Sequence, residues 1–163
     1  QKNELFSGTI AENLRWGKAD ATDGELMEAI DAAQAADVIK AKRRGLEEKV
    51  EQGGLNFSGG QRQRLTIARA LVRKPDILIL DDSASALDYA TDAKLRHSLK
   101  NLDYKPTVFI VSQRTSSIRH ADKIIVLDHG AVAGIGTHEQ LLETCPLYRE
   151  IHYSQYEKKE GAV

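Results

Sequence analysis

From Pro75 onward the sequence is built from short runs of branched apolar residues: Ile77 to Leu80, Val108 to Val111, Ile124 to Leu127 and Val132 to Ile135. Each is too short for a stable helix and reads as a buried strand. Between the first two runs, Leu87, Leu95, Leu99 and Leu102 recur at helical intervals, which supplies the crossover that parallel strands require. That half of the chain is therefore expected to be α/β, with a parallel-sheet core. Ahead of Pro75 the periodicity is helical. Thr22 and Glu25 have capping-box spacing, and Leu26, Ile30 and Ala33 behind them predict an amphipathic helix to about Lys40. A second helix is expected from near Ser58, with Leu65, Ala68, Leu71 and Val72 on one side, ended by Pro75. Thr137 and Gln140 form another capping box before Leu141 and Leu142. The expected organisation is a helical region over 1–74, an α/β region over 75–153, and a loose polar tail over 154–163.

Composition narrows the function classes. A chain of 163 residues has room for one domain and can bury roughly 70% of its unfolded surface. With 23 basic and 24 acidic residues the formal net charge is −1, so no overall field draws nucleic acid or acidic lipid, and no nucleic-acid partner is expected. Cys145 is the only cysteine, which rules out an internal disulfide and a thiolate zinc site and fits a reducing compartment. No apolar run approaches the ~20 residues needed to cross a bilayer, so this segment is not expected to insert into a membrane. The first residue is Gln1 and no signal-peptide pattern follows, so the opening reads as a cut in a longer chain.

The most specific run is Asn56-Phe57-Ser58-Gly59-Gly60-Gln61-Arg62-Gln63-Arg64. Ser58 and Gln61 have capping-box spacing, but a cap does not explain two glycines in a first helical turn. Each costs about 1 kcal/mol relative to alanine, so something must approach that backbone closely. Bare amides at a helix start, the positive end of the dipole and the Ser58 hydroxyl suit a phosphate. Ser58 to Gln61 resembles the signature motif of ATP-binding cassette proteins, and Arg62 to Ala70 continues as that family does. The resemblance implies that Ser58, Gly59, Gly60 and Gln61 reach across a dimer interface to the γ-phosphate of ATP held by a second cassette.

Ile77-Leu78-Ile79-Leu80 ends in Asp81-Asp82. Two carboxylates at the carboxyl edge of a parallel strand lie where open α/β sheets bind ligands. The run resembles a Walker B strand, which implies that Asp81 holds Mg²⁺. Ser85-Ala86-Leu87-Asp88 follows where the family has its D-loop, which implies that Asp88 lies at the dimer interface. Two positions depart from the family pattern. Asp82 stands where a catalytic glutamate is usual, one methylene short, and a misplacement of about 1 Å can cost on the order of a hundredfold in rate. Gln113 stands where the switch histidine is usual; it can hydrogen-bond a γ-phosphate but cannot carry a titrating proton. An intact signature beside a weakened Walker B and switch resembles one half of a heterodimeric exporter. Asp81, Asp82 and Gln113 would then belong to a degenerate ATP site, and the signature would serve the hydrolysing site of a non-identical partner.

Gln1 to Ile10, with Glu12-Asn13-Leu14 behind, resembles an exporter Q-loop. The likeness implies that Gln1 senses the Mg²⁺, that the following residues face a transmembrane domain, and that Thr22 to Lys40 belongs to the helical subdomain. Val50 to Gly54 lies where exporters have an X-loop touching the coupling helices, although Glu51 and Gln52 depart from its commonest form. Trp16 reads as packing at a subdomain edge. His97, His120, His129, His138 and His152 show no metal-ligand spacing and read as surface residues. No G-x-x-x-x-G-K-[ST] occurs, so the resemblance covers about the last two thirds of a P-loop NTPase-like cassette, without its Walker A part. The expected setting is the cytoplasmic face of the cell membrane. A soluble cassette ATPase of the DNA-repair type is a second reading, disfavoured by the short, heptad-free stretch from Gln1 to Ser58. A third is a non-enzymatic module that docks onto another cassette.

Overall fold

Side-chain caps set most of the helix starts. The computed structural model describes residues 4–82 and 86–160, the last five of these by their backbone alone. Capping boxes open α1 (Ile10–Arg15) at Thr9, α2 (Asp23–Ala32) at Thr22 and α4 (Gly59–Leu71) at Ser58, with α3 (Ala36–Lys40) lying between α2 and α4. Such caps are worth about 1 kcal/mol each, because they satisfy amides that have no intrahelical partner. The helix expected from Thr22 to Lys40 is two helices. Gln34 turns left-handed (φ 57), the Ala35 amide reaches back to the Ile30 carbonyl at 2.9 Å and the Gln34 amide to Asp31 at 3.0 Å, a Schellman ending. Arg64 of α4 explains the break: its guanidinium takes the Gln34 carbonyl and grips the Asp37 carboxylate through both oxygens. Arg64 also holds the Asp37 carboxyl below its ordinary pKa.

The molecule divides into two compact units, 1–111 and 112–163. In the first, β1 (Gly8–Thr9) pairs antiparallel with β2 (Lys49–Val50). β3 (Ile77–Asp81) pairs parallel with β4 (Thr107–Val111), with Asp81 opposite Val111 at the carboxyl edge. α5 (Tyr89–Lys100) is the expected crossover between them. One core takes Ile10, Leu14, Leu26 and Ile30 together with Leu65, Leu71, Leu78, Leu80, Leu95 and Leu99. It therefore draws on both sides of the 74/75 boundary expected from the change of texture. The strands are one-sided rather than buried on both faces: Leu78 and Leu80 point into this core, while Ile79 is 67% and Phe109 53% exposed. Unbroken apolar runs were the signal for two-faced burial, and among the described residues only one face is covered.

In the second unit, β5 (Ile124–Asp128) and β6 (Ala131–Gly136) form an antiparallel hairpin, so the parallel relation belongs to β3 and β4. His129 (φ 46) and Gly130 (φ 82) form its two-residue turn, both residues left-handed as the strand twist demands. Thr137 caps α7 (His138–Thr144), and Ile124, Val126, Leu141, Cys145 and Tyr148 make the core. Helix α8 (Pro146–Glu160) continues past Ser154, where the sequence suggested a loose tail. Gln155 of this helix bonds Thr115 and the Gln113 carbonyl, contacts that the polar composition does not reveal. α6 (Thr115–Ile118) packs on α8.

Two histidines expected at the surface are part of this packing. The His138 ring lies 5.0 Å from that of His152 and 5.7 Å from that of Tyr148, which is 2% exposed; His138 Nδ1 shares a 2.8 Å hydrogen bond with the Tyr148 hydroxyl. Burial, then the neighbouring His138 and Arg119, lower the pKa of His152. The unfolded chain therefore binds the His152 proton more readily than the folded one, and stability rises with pH through that window. Taking the protein from about pH 7.5 to about pH 5.5 should weaken amide-exchange protection in α8, after correction for intrinsic rates, and His152→Gln should remove much of that dependence.

Candidate nucleotide-binding site

The start of α4 is built to present backbone. Ser58 Oγ accepts the Gln61 amide at 3.3 Å and Gln61 Oε1 accepts the Ser58 amide at 2.9 Å. The box leaves the Ser58 hydroxyl proton to donate elsewhere, while the amides of Gly59 and Gly60, at the first two helical positions, have no intrahelical acceptor. Ser58 is exposed and Gly59, Gly60 and Gln61 are half-buried. A Cβ on Gly60 would lie 3.1 Å from the Ala86 carbonyl oxygen and 3.8 Å from Leu87 Cδ2. The second glycine is thus also needed because the segment entering α5 presses against this helix start.

The tie between these pieces is Gln63, 1% exposed. Its Nε2 donates to the Asp82 carbonyl at 3.5 Å, and its Oε1 accepts the Ala86 amide at 3.2 Å. One side chain therefore bridges Asp82, just past β3, and Ala86, ahead of α5. Sequence reasoning passed over Gln63, although a signal was present: it occupies the same helical row as Ile67 and Leu71, an apolar stripe in which a glutamine needs partners.

Asp81 ends β3 with an exposed side chain, and Asp82, also exposed, follows in a left-handed conformation (φ 47) with its amide on the Val111 carbonyl at 3.0 Å. Aspartate tolerates that conformation better than most residues, yet it still carries strain on the order of 1 kcal/mol, and such strain gathers at functional turns. Asp88, expected at a dimer interface, caps α5: its carboxylate accepts the Thr91 amide at 2.9 Å and the Thr91 hydroxyl at 2.8 Å. Those bonds, led by the backbone one, lower its pKa. Ser85 and Gln1 lie outside the described residues. Gln113 belongs to the second unit, with an exposed side chain and its carbonyl accepting Gln155 Nε2 at 2.7 Å.

The flanking segments are also ordered by single polar side chains. Buried Asn13 accepts the Phe6 amide at 2.7 Å and donates to the Phe6 and Thr9 carbonyls at 2.8 and 2.9 Å. Asn56 accepts the Glu51 amide at 3.1 Å and donates to the Lys49 carbonyl at 2.8 Å, closing the turn over 51–54. Arg62 of α4 donates to the Phe57 carbonyl at 2.6 Å and to Gly54 at 3.4 Å, which ties that turn to the helix. Trp16 is 72% exposed, with its ring 4.9 Å from that of Phe6.

Residues 1–85 match the family model described as ABC transporter. The chain belongs to the ABC transporter family. It is 48% identical over 158 residues to an uncharacterized ABC transporter ATP-binding protein of Mycobacterium tuberculosis strain H37Rv, covering 95% of this chain and 27% of that protein. It is 44% identical over 160 residues to the probable multidrug resistance ABC transporter ATP-binding/permease protein of Bacillus subtilis, covering 98% of this chain and 27% of the relative. The chain therefore spans about a quarter of the length of these relatives. Its backbone matches the structure of a bacterial Atm1-family ABC exporter with ATP bound, at a TM-score of 0.89 and 34% identity, over 100% of this chain and 28% of that one. The fold is accordingly α/β and P-loop NTPase-like, as the motifs implied.

The donor set at the β3 edge suits Mg²⁺. Among the described residues no three His, Cys, Asp or Glu side chains converge as a metal cage, and Mg²⁺ needs none, being held by one or two carboxylates together with substrate phosphates. Exposed Asp81 supplies such a carboxylate.

Replacing Gln63 by leucine should leave the Ala86 amide and the Asp82 carbonyl without this partner and destabilise the first unit by about 1–3 kcal/mol. Denaturant unfolding measures the loss, and faster exchange of the Ala86 amide should accompany it.

Proposed function

We propose that this chain is part of the ATP-binding and hydrolysing motor domain of an ABC exporter that drives efflux of small or lipophilic compounds. The observation that carries the reading is the Gln63 bridge. It joins a helix start with presented amides to Asp82 and Ala86, next to the strand end that carries Asp81. The relatives' names and the ATP-bound exporter of the same fold support it.

In this reading the Ser58 hydroxyl and the Gly59 and Gly60 amides stabilise the γ-phosphate of ATP held by a second, non-identical nucleotide-binding domain. Backbone donors fixed at a helix start cost no reorganisation when charge develops on the phosphoryl oxygens. Gln61 keeps Ser58 in its capped geometry. Asp81 would hold Mg²⁺, which neutralises phosphate charge. Asp82 is too short to place a water as a glutamate would, and Gln113 offers a hydrogen bond without a titrating proton, so each departure on its own slows hydrolysis of the ATP that this domain holds. Gln1 would sense the same Mg²⁺, Asp88 would anchor the segment along the interface, and the turns at 51–54 and near Phe6 would meet the coupling helices of a transmembrane domain. That places the domain at the cytoplasmic face of a cell membrane. Among the described residues no helix is long and apolar enough to cross a membrane.

In the intact transporter, Ser58→Arg should lower ATP turnover by about a hundredfold or more, while Asp82→Asn should leave most of it. Equal losses would overturn the assignment of the two sites. Residues 1–163 alone contain no phosphate loop, so the purified segment should show no saturable micromolar ATP binding in calorimetry.

A further inference from the structure

Gln113 is followed by a helix that cannot cap itself. The N-cap of α6 is Arg114, whose side chain makes no capping bond. An arginine has no acceptor to offer an orphan amide. The missing acceptor comes from another helix. Gln155, on α8, accepts the Thr115 amide on Oε1 at 3.0 Å and lies 3.2 Å from the Thr115 hydroxyl, while its Nε2 donates to the Gln113 carbonyl at 2.7 Å. His152, one turn earlier on α8, has Nδ1 3.2 Å from the same hydroxyl. Thr115 is 2% exposed, so its bonds to Gln155 and His152 are partly shielded from water, while the bond to the Gln113 carbonyl is exposed.

We propose that Gln155 is a positioning residue that clamps the backbone of residues 113–115 to α8 and so fixes the point from which the Gln113 side chain meets a γ-phosphate. This rests on the reading of Gln113 as the switch-position residue. A primary amide suits the task because one group must both donate and accept: the carbonyl of residue 113 needs a donor and the amide of residue 115 an acceptor. Glutamate would keep the acceptor and lose the donor, which separates the two ends of the clamp. The contacts also give α8 a purpose that neither its polar composition nor the capping signals of α7 suggest. The last helix acts as the external cap of the loop.

The test uses the intact transporter and two readouts. Gln155→Ala should speed exchange of the Thr115 amide about tenfold and lower the preference of this site for ATP over ADP about fivefold, with ADP affinity unchanged, the sizes expected for one or two hydrogen bonds. Gln155→Glu should keep the Thr115 amide protected yet still lower the ATP preference, and it serves as the second variant should the alanine protein fail to fold. Unchanged Thr115 exchange in Gln155→Ala, or equal weakening of ATP and ADP, would overturn the clamp. The underlying reading is checked separately by Gln113→Ala. If that variant keeps the wild-type ATP preference, Gln113 does not meet the γ-phosphate and the nucleotide part of the proposal falls, whereas faster Thr115 exchange in Gln155→Ala would still establish the backbone tie.

Discussion

A buried primary amide carries two hydrogen-bonding groups that must both be satisfied, and the arrangement of the first unit depends on how Gln63 meets that demand. Its oxygen takes the Ala86 amide and its nitrogen reaches the Asp82 carbonyl. The turn after β3 and the segment entering α5 are thereby held to the same helix that presents Gly59 and Gly60. Without this bridge, α4 would pack on the core through Leu65, Ala68 and Leu71, and apolar contacts alone specify position less sharply than directional bonds do. The left-handed Asp82 and the close approach of Gly60 to Ala86 are local costs that a fixed turn sustains.

The same device recurs along the chain. Asn13 gathers the segment from Phe6 to Thr9 onto α1, Asn56 closes the turn over 51–54, Arg64 bonds the end of α2 from outside, and Gln155 substitutes for an absent cap on α6. In each case a polar side chain on a regular element satisfies main-chain groups of an irregular one. For the motor domain proposed above this is a sensible division. Loops that meet nucleotide or partner must be reproducible in shape while exposing their own functional atoms, and backbone-directed bonds achieve that without occupying those atoms.

Local patterning made much of this legible. Capping boxes at Thr22, Ser58 and Thr137 depend on residues three apart, so their helix starts could be read directly, and so could β3 to β6 from their branched runs. The break at Gln34 was not legible, because no glycine or proline marks it and its cause is Arg64, thirty residues away. The continuation of α8 past Ser154 and the pairing of His138 with His152 were missed for the same reason. The histidine pairing follows from packing within the second unit, which composition does not record.

The amino-acid sequence by itself determined the family and the α/β class and named the candidate site residues, since each rests on residue types at short, fixed spacings: the Ser58 to Gln61 run, the carboxylates ending an apolar strand, the departures at Asp82 and Gln113. Only the tertiary structure decided how those residues are held. Gln63 and Gln155 look like ordinary polar residues of helices until the fold brings main-chain groups of another segment to each of them. Satisfaction of a buried amide is a property of neighbours in space, and neither one-dimensional spacing nor composition carries it.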